Sequence, residues 1–600
     1  MKKIKNKYFV LSVLSLTLMF ASCNDYEDTP VDVTSIDYVF DRGDSLGLRS
    51  YGYLADMYRL IYDGNKRFRS NGLWTQANNL ESATDNAISA DINNNSAIMR
   101  LAIGNYSAAN GIQEDMTQIW SDAYFVIRKA NVFIANIDAV PLLSRFTNDK
   151  GEVCPMNKAW KAEARFLRAL FYFELVKRFG GIPLMGDHIA NLGDDLELPR
   201  NSFEECVEYI VSEMDMIKDS LRVLPVESPD IYGFVATKNA ALALKSRILL
   251  YAASPLFNGN PIEPNNELIG YTKIDEESKK QRWERAAKAA KDFMEAFGEG
   301  YGGKGTHALA PDFLNIFLAD YSAANPEVIF VREGGRNTEV ERIFGPIGFA
   351  DPNSLGEGMT CPTQNLVDAF PMLDGTSRET STAYNDSRMY TERDPRLNYT
   401  VLHNGSPWLQ IVLATYDGGP NNPSGATKKT KTSYYQRKFM QKAEYSDRYN
   451  AVNHRWIMFR YAEILFNFIE AENELDGPTT EIYDILKAIR RRAGISAGRA
   501  LNYGVVSGMS QNEMRELIRN ERRIELAFEE HRFWDIRRWR IAEEIYSKPL
   551  QGLSITREGQ MYVYNRINVL NVKFESKMNL YPIPYSEVIK NRNLKQNPGW

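Results

Sequence analysis

Cysteine and histidine are scarce in this chain of 600 residues, which contains four cysteines and five histidines. Cys154, Cys206 and Cys361 are too few and too widely separated for a disulfide scaffold, and no cysteine has the spacing of metal ligands. A chain of this length buries a large core without cross-links. The composition therefore excludes the small disulfide-rich class and predicts no metal or other cofactor. The sequence contains no EF-hand-like loop, and whether the protein binds a structural calcium ion stays undecided.

Blocks of basic residues are also missing, and the formal net charge is -5. Because nucleic-acid-binding domains concentrate positive charge on one face, we expect no nucleic-acid partner. Aromatic residues, in contrast, make up 12% of the chain, and tyrosine and phenylalanine dominate among them. This surplus suggests exposed rings on which a ligand can stack.

The start of the chain has the order of a secretory signal peptide. Four lysines precede an uncharged apolar run, residues 8–20, which is too short to span a bilayer and is followed by small residues. Ala21, Ser22 and Cys23 resemble the lipobox of bacterial lipoproteins, in which the cysteine is lipidated and becomes the mature N-terminus. We expect a signal peptide at residues 1–22 and a lipidated tether at residues 23–40, held in the membrane by acyl chains on Cys23.

Helical periodicity dominates the first half of the chain. In residues 158–179, apolar residues recur every three or four positions until Gly180 and Gly181 interrupt the pattern. Four further segments are predicted as helices in the same way: 112–137, 203–224, 237–253 and 281–297. Consecutive pairs with small residues at their contacts suggest a tetratricopeptide-like stack, although no clean repeat is visible.

The pattern changes between about residue 298 and residue 453, where Gly, Pro, Asn and Asp interrupt only short β-like runs, such as 327–331 and 409–416. Long loops on a rigid scaffold commonly carry binding sites. Helices are predicted again at 457–475, 480–493 and 510–539, and Ser510 with Glu513 forms a capping box at the start of the last one. We therefore predict a mainly α fold with a loop-rich, small-β insertion at residues 301–453 that binds the ligand.

Seven segments resemble the signatures of the SusD/RagB family of outer-membrane lipoproteins and follow the family order over almost the whole mature chain. They are ATD (83–85), EARFLRALFYFELVKRFGGIPL (163–184), PTQNLVDAFPMLDG (362–375), RDPRL (393–397), RYAEILFNFIEAENEL (460–475), RNERRIELAFEEHRFWDIRRW (519–539) and NLYPIPYSEVIKNRNLKQNPGW (579–600).

The resemblance implies an N-terminal helical region at 41–300 and a C-terminal region at 301–600, with four tetratricopeptide-like helix pairs supporting a variable ligand face. It also implies a lipid anchor in the outer membrane, facing the cell exterior. Family members bind oligosaccharides or other nutrients and act as a lid on a SusC-like TonB-dependent transporter. The implied chemistry is capture and hand-over, so we expect no catalysis and no cofactor.

Three alternatives stay open. A surface hydrolase would need a carboxylate pair; Glu529 with Glu530, or Glu463 with Glu470, are better explained as ion-pair partners of arginines 460, 519, 522 and 523. A pure interaction protein would recognise only the transporter or other proteins. The cargo could also be a peptide. The mixed basic and aromatic stretch at 531–540 is interpreted as a structural helix end.

Among the tryptophans, Trp74 stands in a polar setting and is the predicted stacking platform. Four others occupy helical patterns and are predicted to be core: Trp120, Trp160, Trp534 and Trp539. The segment after the ATD mark carries the ligand site in the starch-binding relative, but here it contains no tryptophan, which argues against a starch-type stacking arc.

Nine further residues are predicted to contact the ligand. In the segment after the ATD mark they are Asp91, Asn93, Asn94 and Arg100, as hydrogen-bonding groups, with a solvated loop as the alternative. In the loop before residue 362, at a position that is variable and ligand-facing in relatives, they are Arg336, Asn337, Arg342, Phe344 and Phe349.

Overall fold

The computed structural model describes residues 35–70, 73–191, 193–224, 226, 234–301, 305–318, 325–426 and 429–600; of Ser70, Leu73 and Trp74 it describes the backbone alone. The predicted signal peptide and Cys23 lie outside the described residues. None of the helices in the described ranges combines the length and the apolar character that crossing a membrane requires.

The protein is mainly helical, as the sequence predicts. In chain order the α-helices of the described ranges are α1 (Ile36–Val39), α2 (Leu48–Arg59), α3 (Ala97–Ala102), α4 (Gln118–Asn136), α5 (Met156–Phe179), α6 (Phe203–Ile217), α7 (Lys238–Ala253), α8 (Glu276–Phe297), α9 (Asn315–Leu318), α10 (Glu339–Phe344), α11 (Gln364–Ala369), α12 (Arg396–Thr400), α13 (Tyr461–Asp476), α14 (Thr480–Ala493), α15 (Gln511–Glu525), α16 (His531–Arg538), α17 (Ala542–Tyr546) and α18 (Tyr585–Val588).

The long helices pack in chain order, α2 on α4, α4 on α5, and so on through α8, which packs on α13 across the insertion. Helix α13 then contacts α14 and α15. The predicted pairwise helical stack is confirmed. Small residues make it possible, because Ala240, Ala241 and Ala243 in α7 and Ala286, Ala289 and Ala290 in α8 are all buried and let the axes approach closely.

The helix predicted at 510–539 is wrong in one respect, since it is two helices. The capping box of Ser510 and Glu513 is present at the start of α15, as predicted. The chain then turns between α15 and α16, where Phe528 and Glu530 have positive φ. Phe528 is buried in the core, so tertiary packing holds a backbone conformation that neither residue type favours.

Small sheets are scattered through the fold. In chain order the strands of the described ranges are β1 (Phe68–Ser70), β2 (Leu73–Asn78), β3 (Ala83–Thr84), β4 (Ala87–Ser89), β5 (Arg145–Thr147), β6 (Val153–Pro155), β7 (Val328–Asn337), β8 (Thr360–Pro362), β9 (Val401–Leu402), β10 (Pro407–Trp408), β11 (Ile411–Val412), β12 (Tyr435–Gln436), β13 (Val452–Arg460), β14 (Leu550–Glu558) and β15 (Met561–Leu570).

Two antiparallel pairs are long, β7 with β13 and β14 with β15. Strand β7 extends well beyond the predicted run 327–331, and β13 occupies residues 457–460, which were predicted as helix. The predicted run 409–416 is also wrong as a single strand, because only Ile411–Val412 within it is extended and pairs with Pro407–Trp408. The hairpin of β14 and β15 was not predicted.

The described residues form two main apolar cores. The first lies within the helical stack and contains the predicted core residues Trp120, Trp160 and Trp534, all buried. The second lies under the insertion, where Phe317, Phe439 and Trp456 pack on one another. This second core is apolar and buried, and partly buried side chains of the surrounding loops, such as Phe349 and Tyr416, pack against it.

Candidate functional site

Four segments, two of them within the loop-rich insertion, meet on one surface, which we call the loop face: residues 90–96, 345–359, 414–426 and 554–564. Ala90 N–H donates to Met359 (2.9 Å), and Asn421 Nδ2 donates to the Ile347 carbonyl (2.7 Å). Asp417 N–H donates to Ile555 (2.9 Å). Each segment is thus hydrogen-bonded to the next, and the surface is continuous although its first and last segments are hundreds of residues apart in sequence.

The first segment is a polar loop on the rim of a small sheet. Strand β4 pairs with β8 through Ser89 and Thr360, and the loop begins directly after it. Asp91 Oδ1 accepts the Asn93 N–H (3.0 Å), and Asn93 and Asn94 are exposed. Burial lowers the pKa of the Lys431 ammonium, and the nearby Asp91 carboxylate offsets part of this shift. The segment therefore offers amide and carboxylate groups to solvent.

Two tyrosines form an aromatic platform at the other end of the loop face. The Tyr416 and Tyr562 rings lie 5.7 Å apart with an interplanar angle of 31°, and both are partly exposed. Arg557 lies over the Tyr416 ring at 5.7 Å. The neighbouring Asp417 is exposed and accepts a hydrogen bond from Ser554. We call Tyr416 and Tyr562 the tyrosine pair.

Some predicted site residues are placed on the loop face and others are not. Phe349 is partly buried there, and Asp91, Asn93 and Asn94 are accessible. Their contact with a ligand stays a prediction. Trp74 lies in β2, but its side chain is outside the described residues.

Phe344 is corrected by the structure, because its side chain is 0% exposed within the second core. A ring without accessible surface cannot stack on a ligand. Its place at the end of α10 puts it on the inner face of that helix, together with the buried Val340 and Ile343. The sequence analysis does not predict this short helix, and it therefore does not predict that the Phe344 ring faces the core.

The predicted arginines are engaged in local structure. Arg100 donates to the carbonyls of Asn105 (3.3 Å), Asn110 and Gly111 (3.2 Å), so it closes a loop rather than offering a free guanidinium. Arg342 pairs with Glu357 at 3.2 Å. Arg336 donates to Ala451 (2.9 Å) but is exposed.

Asn337, the remaining polar residue of this group, also serves the local backbone. Its Nδ2 donates to the Gly334 carbonyl (3.2 Å), and its Oδ1 accepts the Glu339 N–H (2.9 Å). The side chain thus fixes the turn between β7 and α10 and leaves little capacity for a ligand.

The tyrosine pair and Lys431 were not singled out from the sequence. A usable signal was the alternation of MYVY at 561–564, which places Tyr562 and Tyr564 on one side of a strand. Tyr416 gives no such signal, because it becomes part of a platform only when the 414–426 loop meets the hairpin.

The four glutamates considered as catalytic pairs are all ion-paired. Glu529 pairs with Arg460 (2.7 Å), as predicted. The other partners differ from the prediction: Glu463 pairs with Arg247, Glu470 with Arg538 and Glu530 with Arg67. Within the described ranges no group of three or more His, Cys, Asp and Glu side chains is arranged to hold a metal ion.

Comparison with known proteins gives the family. A family model described as the SusD family matches residues 326–600, and one described as starch-binding and associating with the outer membrane matches residues 48–250. The chain belongs to the SusD/RagB family. This membership confirms the family predicted from the seven sequence segments.

Relatives match this SusD/RagB protein over almost its full length. SusD-like protein P2 of Formosa agariphila is 24% identical over 99% of this chain and all of the relative. The crystal structure of a SusD-like protein from Bacteroides fragilis is 25% identical, with a TM-score of 0.70 over 94% of this chain and 98% of the other. A SusD-like carbohydrate-binding protein of the same species is 24% identical, with a TM-score of 0.68 over 91% of this chain and 98% of the other.

The ATD segment (83–85), one of the family signatures, has a structural role in this SusD/RagB chain. Asp85 of the ATD mark accepts two hydrogen bonds from Arg532, at 2.8 and 2.9 Å. Both side chains are buried. The mark therefore ties the N-terminal half of the fold to the C-terminal helix α16 and does not face a ligand.

Proposed function

We propose that this protein is a surface lipoprotein that captures a glycan on the loop face and passes it to a SusC-like TonB-dependent transporter. The observation that carries the proposal is the tyrosine pair, with accessible polar groups beside it on a surface that the insertion and the C-terminal hairpin form together. Proteins of the same fold include a SusD-like carbohydrate-binding protein and a laminarin-binding SusD-like protein.

The chemistry of the loop face suits a sugar. The apolar face of a pyranose packs on tyrosine rings, while carboxylate, guanidinium and amide groups bind its hydroxyls. Asp417 supplies acceptors and Arg557 donors next to the tyrosine pair. Asp91, Asn93 and Asn94 extend this polar surface, and Trp74 and Phe349 are proposed as further ring contacts.

The remaining parts of the proposal concern place and partner. Lipidation at Cys23 anchors the chain in the outer membrane, and the family description of association with that membrane supports this placement. The loop face looks outward to receive the glycan before transfer. We propose that no bond of the glycan is broken, because the four glutamates weighed as catalytic pairs are all ion-paired with arginines.

The test is calorimetric titration of the mature chain carrying Cys23→Ala, which blocks lipidation, against plant, host and microbial polysaccharides. We expect saturable binding to one glycan class, weakened about tenfold or more by Tyr416→Ala, Tyr562→Ala or Trp74→Ala, because one aromatic contact contributes about 0.5–1.5 kcal/mol beyond its buried area. The matched control is Phe125→Ala, which removes a 56% exposed ring from α4 in the helical stack.

Other outcomes would replace the proposal. Equal losses in the control variant would mean that the loop face is not the site. Absence of binding together with tight association with the transporter would favour a pure interaction protein. Release of shorter sugars from the titrated glycan would establish a hydrolase.

A further inference from the structure

A separate cleft of about 390 Å³ opens on the helical side of the molecule. It is lined by residues of α8, α13 and α15 and by Trp539 after α16, and it shares no residue with the loop face. We call it the tryptophan cleft. Its volume lies within the range of small-molecule sites, about 300–1,000 Å³.

Trp283 of α8 forms one wall of the tryptophan cleft and is partly exposed. Among the described residues no other ring or cation packs on its indole, and its indole N–H has no protein acceptor. Tryptophan normally satisfies this donor and covers its ring when it serves only the core. Trp539, by contrast, is buried, donates to Glu470 (2.7 Å) and forms the floor.

Helix α15 supplies the opposite wall. Asn512, Arg515, Glu516 and Arg519 follow one another at helical spacing, so that they share one face of α15. All four line the cleft. Such a row of polar side chains beside an exposed indole suits a sugar, because the sugar ring can stack on the indole while the polar side chains bind its hydroxyls.

The polar groups are held in place by their own contacts. Arg515 binds Glu474 of α13 with two hydrogen bonds, at 2.5 and 2.7 Å, and also donates to Asn512. Arg519 lies over the Trp539 ring at 5.0 Å and donates to Glu516 (3.1 Å). That is the one hydrogen bond that the structure gives Arg519 among the described residues, so its other N–H groups are available to a ligand.

The charges of the cleft are balanced in pairs, which decides the class of ligand. Each arginine that lines it is already paired with a glutamate, Arg515 with Glu474 and Arg519 with Glu516. An ionic ligand would meet arginines whose charge a glutamate already neutralises, and would gain little from them. A neutral polyol would instead bind donors and acceptors that remain, without breaking a pair.

We propose that the tryptophan cleft is a second carbohydrate subsite, which stacks a neutral sugar on Trp283 and binds its hydroxyls through Arg519, Asn512 and Glu516. The ligand class rests on the proposed function, but the location does not, since the two sites have no residue in common. Two sites on one molecule strengthen the hold on a long chain by raising the effective concentration of its second contact.

The test uses the mature Cys23→Ala protein and neutral hexasaccharides of glucose, xylose and mannose as probes, by calorimetry and by tryptophan fluorescence. We expect two binding events for the recognised probe. Trp283→Ala should remove one event and the fluorescence change that accompanies it, Trp283→Phe should weaken that event about tenfold or less, and Tyr416→Ala should leave it intact.

Unfolding midpoints of the variants establish that each is folded, and Phe125→Ala again serves as the control. An unchanged number of events and unchanged fluorescence in Trp283→Ala would overturn the tryptophan cleft while leaving the loop face in place. If the natural protein shows a single event, its loss in Trp283→Ala and its persistence in Tyr416→Ala would support the cleft and overturn the loop face. Absence of any binding would overturn both.

Discussion

At the scale of single residues, buried charge is the most demanding feature of this protein. Arg460 is 1% exposed and bonds Glu327 (2.5 Å), Glu525 (2.9 Å) and Glu529 (2.7 Å). We expect Arg460→Met to lower the free energy of unfolding by about 3–5 kcal/mol, because it removes one cation from a buried cluster and leaves its carboxylates incompletely neutralised by Arg396, Lys438 and Arg492. Urea unfolding at pH 7 measures the loss.

The matched control is Arg59→Ala. Arg59 pairs with Asp56 at 2.8 Å, but its side chain is 79% exposed, and such surface pairs contribute about 0–1 kcal/mol. Equal effects of the two substitutions would contradict the assignment of the stabilising role to burial.

Glu81 differs from Arg460, because it is a buried acid whose Oε2 has no hydrogen-bond partner among the described residues. Burial raises its pKa to about 7, although Asn86 donates to Oε1 (2.6 Å). Since the folded state binds this proton more tightly than the unfolded state, stability falls as the pH rises from about 4.3 through the folded pKa of about 7 and then levels off. We expect Glu81→Gln to remove on the order of 3 kcal/mol of this pH dependence.

Unfolding by urea at pH 5 and pH 8 measures the effect. The variant should gain stability relative to the natural protein at pH 8 and gain little at pH 5. A constant difference between the two proteins at both values would show that Glu81 does not titrate in this range. Glu543→Gln, in an exposed position of α17, is the control.

Residue by residue, the sequence was informative where periodicity and residue type agreed. Trp120 and Trp160 are buried in long helices, as their spacing predicts. Phe344 shows the limit, because the one-and-a-half turns of α10 are too short for a readable period. Whether a ring faces the core or a ligand depends there on the loops that pack around it.

At the scale of elements, helix ends were predicted with least error where a local signal specifies them. Ser510 caps α15 and accepts the Glu513 N–H (3.3 Å), while Glu513 accepts the Ser510 N–H (2.8 Å). We expect Ser510→Ala to lower the free energy of unfolding by about 1 kcal/mol. Ser121→Ala, within α4, should change it by less than about 0.5 kcal/mol.

Chemical denaturation of both variants at pH 7 measures these values. A loss in Ser510→Ala no larger than that in Ser121→Ala would mean that packing of α15 against α13 fixes the helix end without its cap. The break after α15 is an example of such packing, since the positive φ of buried Phe528 has no local sequence signal.

At the scale of the whole molecule, the order of helices could be predicted, but the loop face could not. Helices arise from contacts three or four residues apart, which a sequence displays directly. Tyr416 and Tyr562 meet only because β14 and β15 pack on the 414–426 loop. The tryptophan cleft is formed in the same way, from α8, α13 and α15, which lie far apart in the chain.

Stability at acid pH is a property of the whole molecule, because it depends on buried carboxylates in several helices. Burial alone would raise the pKa of Glu470, but Arg538, reinforced by hydrogen bonds, lowers it to about 2. Glu174 is likewise buried, and Lys177 and Arg178 lower its pKa to about 2. A carboxylate with a lowered pKa in the folded state contributes stability above its unfolded pKa of about 4.3 and loses it as the pH falls through the folded value.

We therefore expect the free energy of unfolding to drop steeply between pH 5 and pH 2, as measured by urea unfolding at several pH values. In Glu470→Gln the stability at pH 7 should be lower than in the natural protein, because Arg538 loses one of its two charged partners and keeps only Asp535, and the difference should shrink toward pH 2. A difference that stays constant down to pH 2 would contradict the assignment, since it would show that the Glu470 carboxylate contributes by packing and not by its charge.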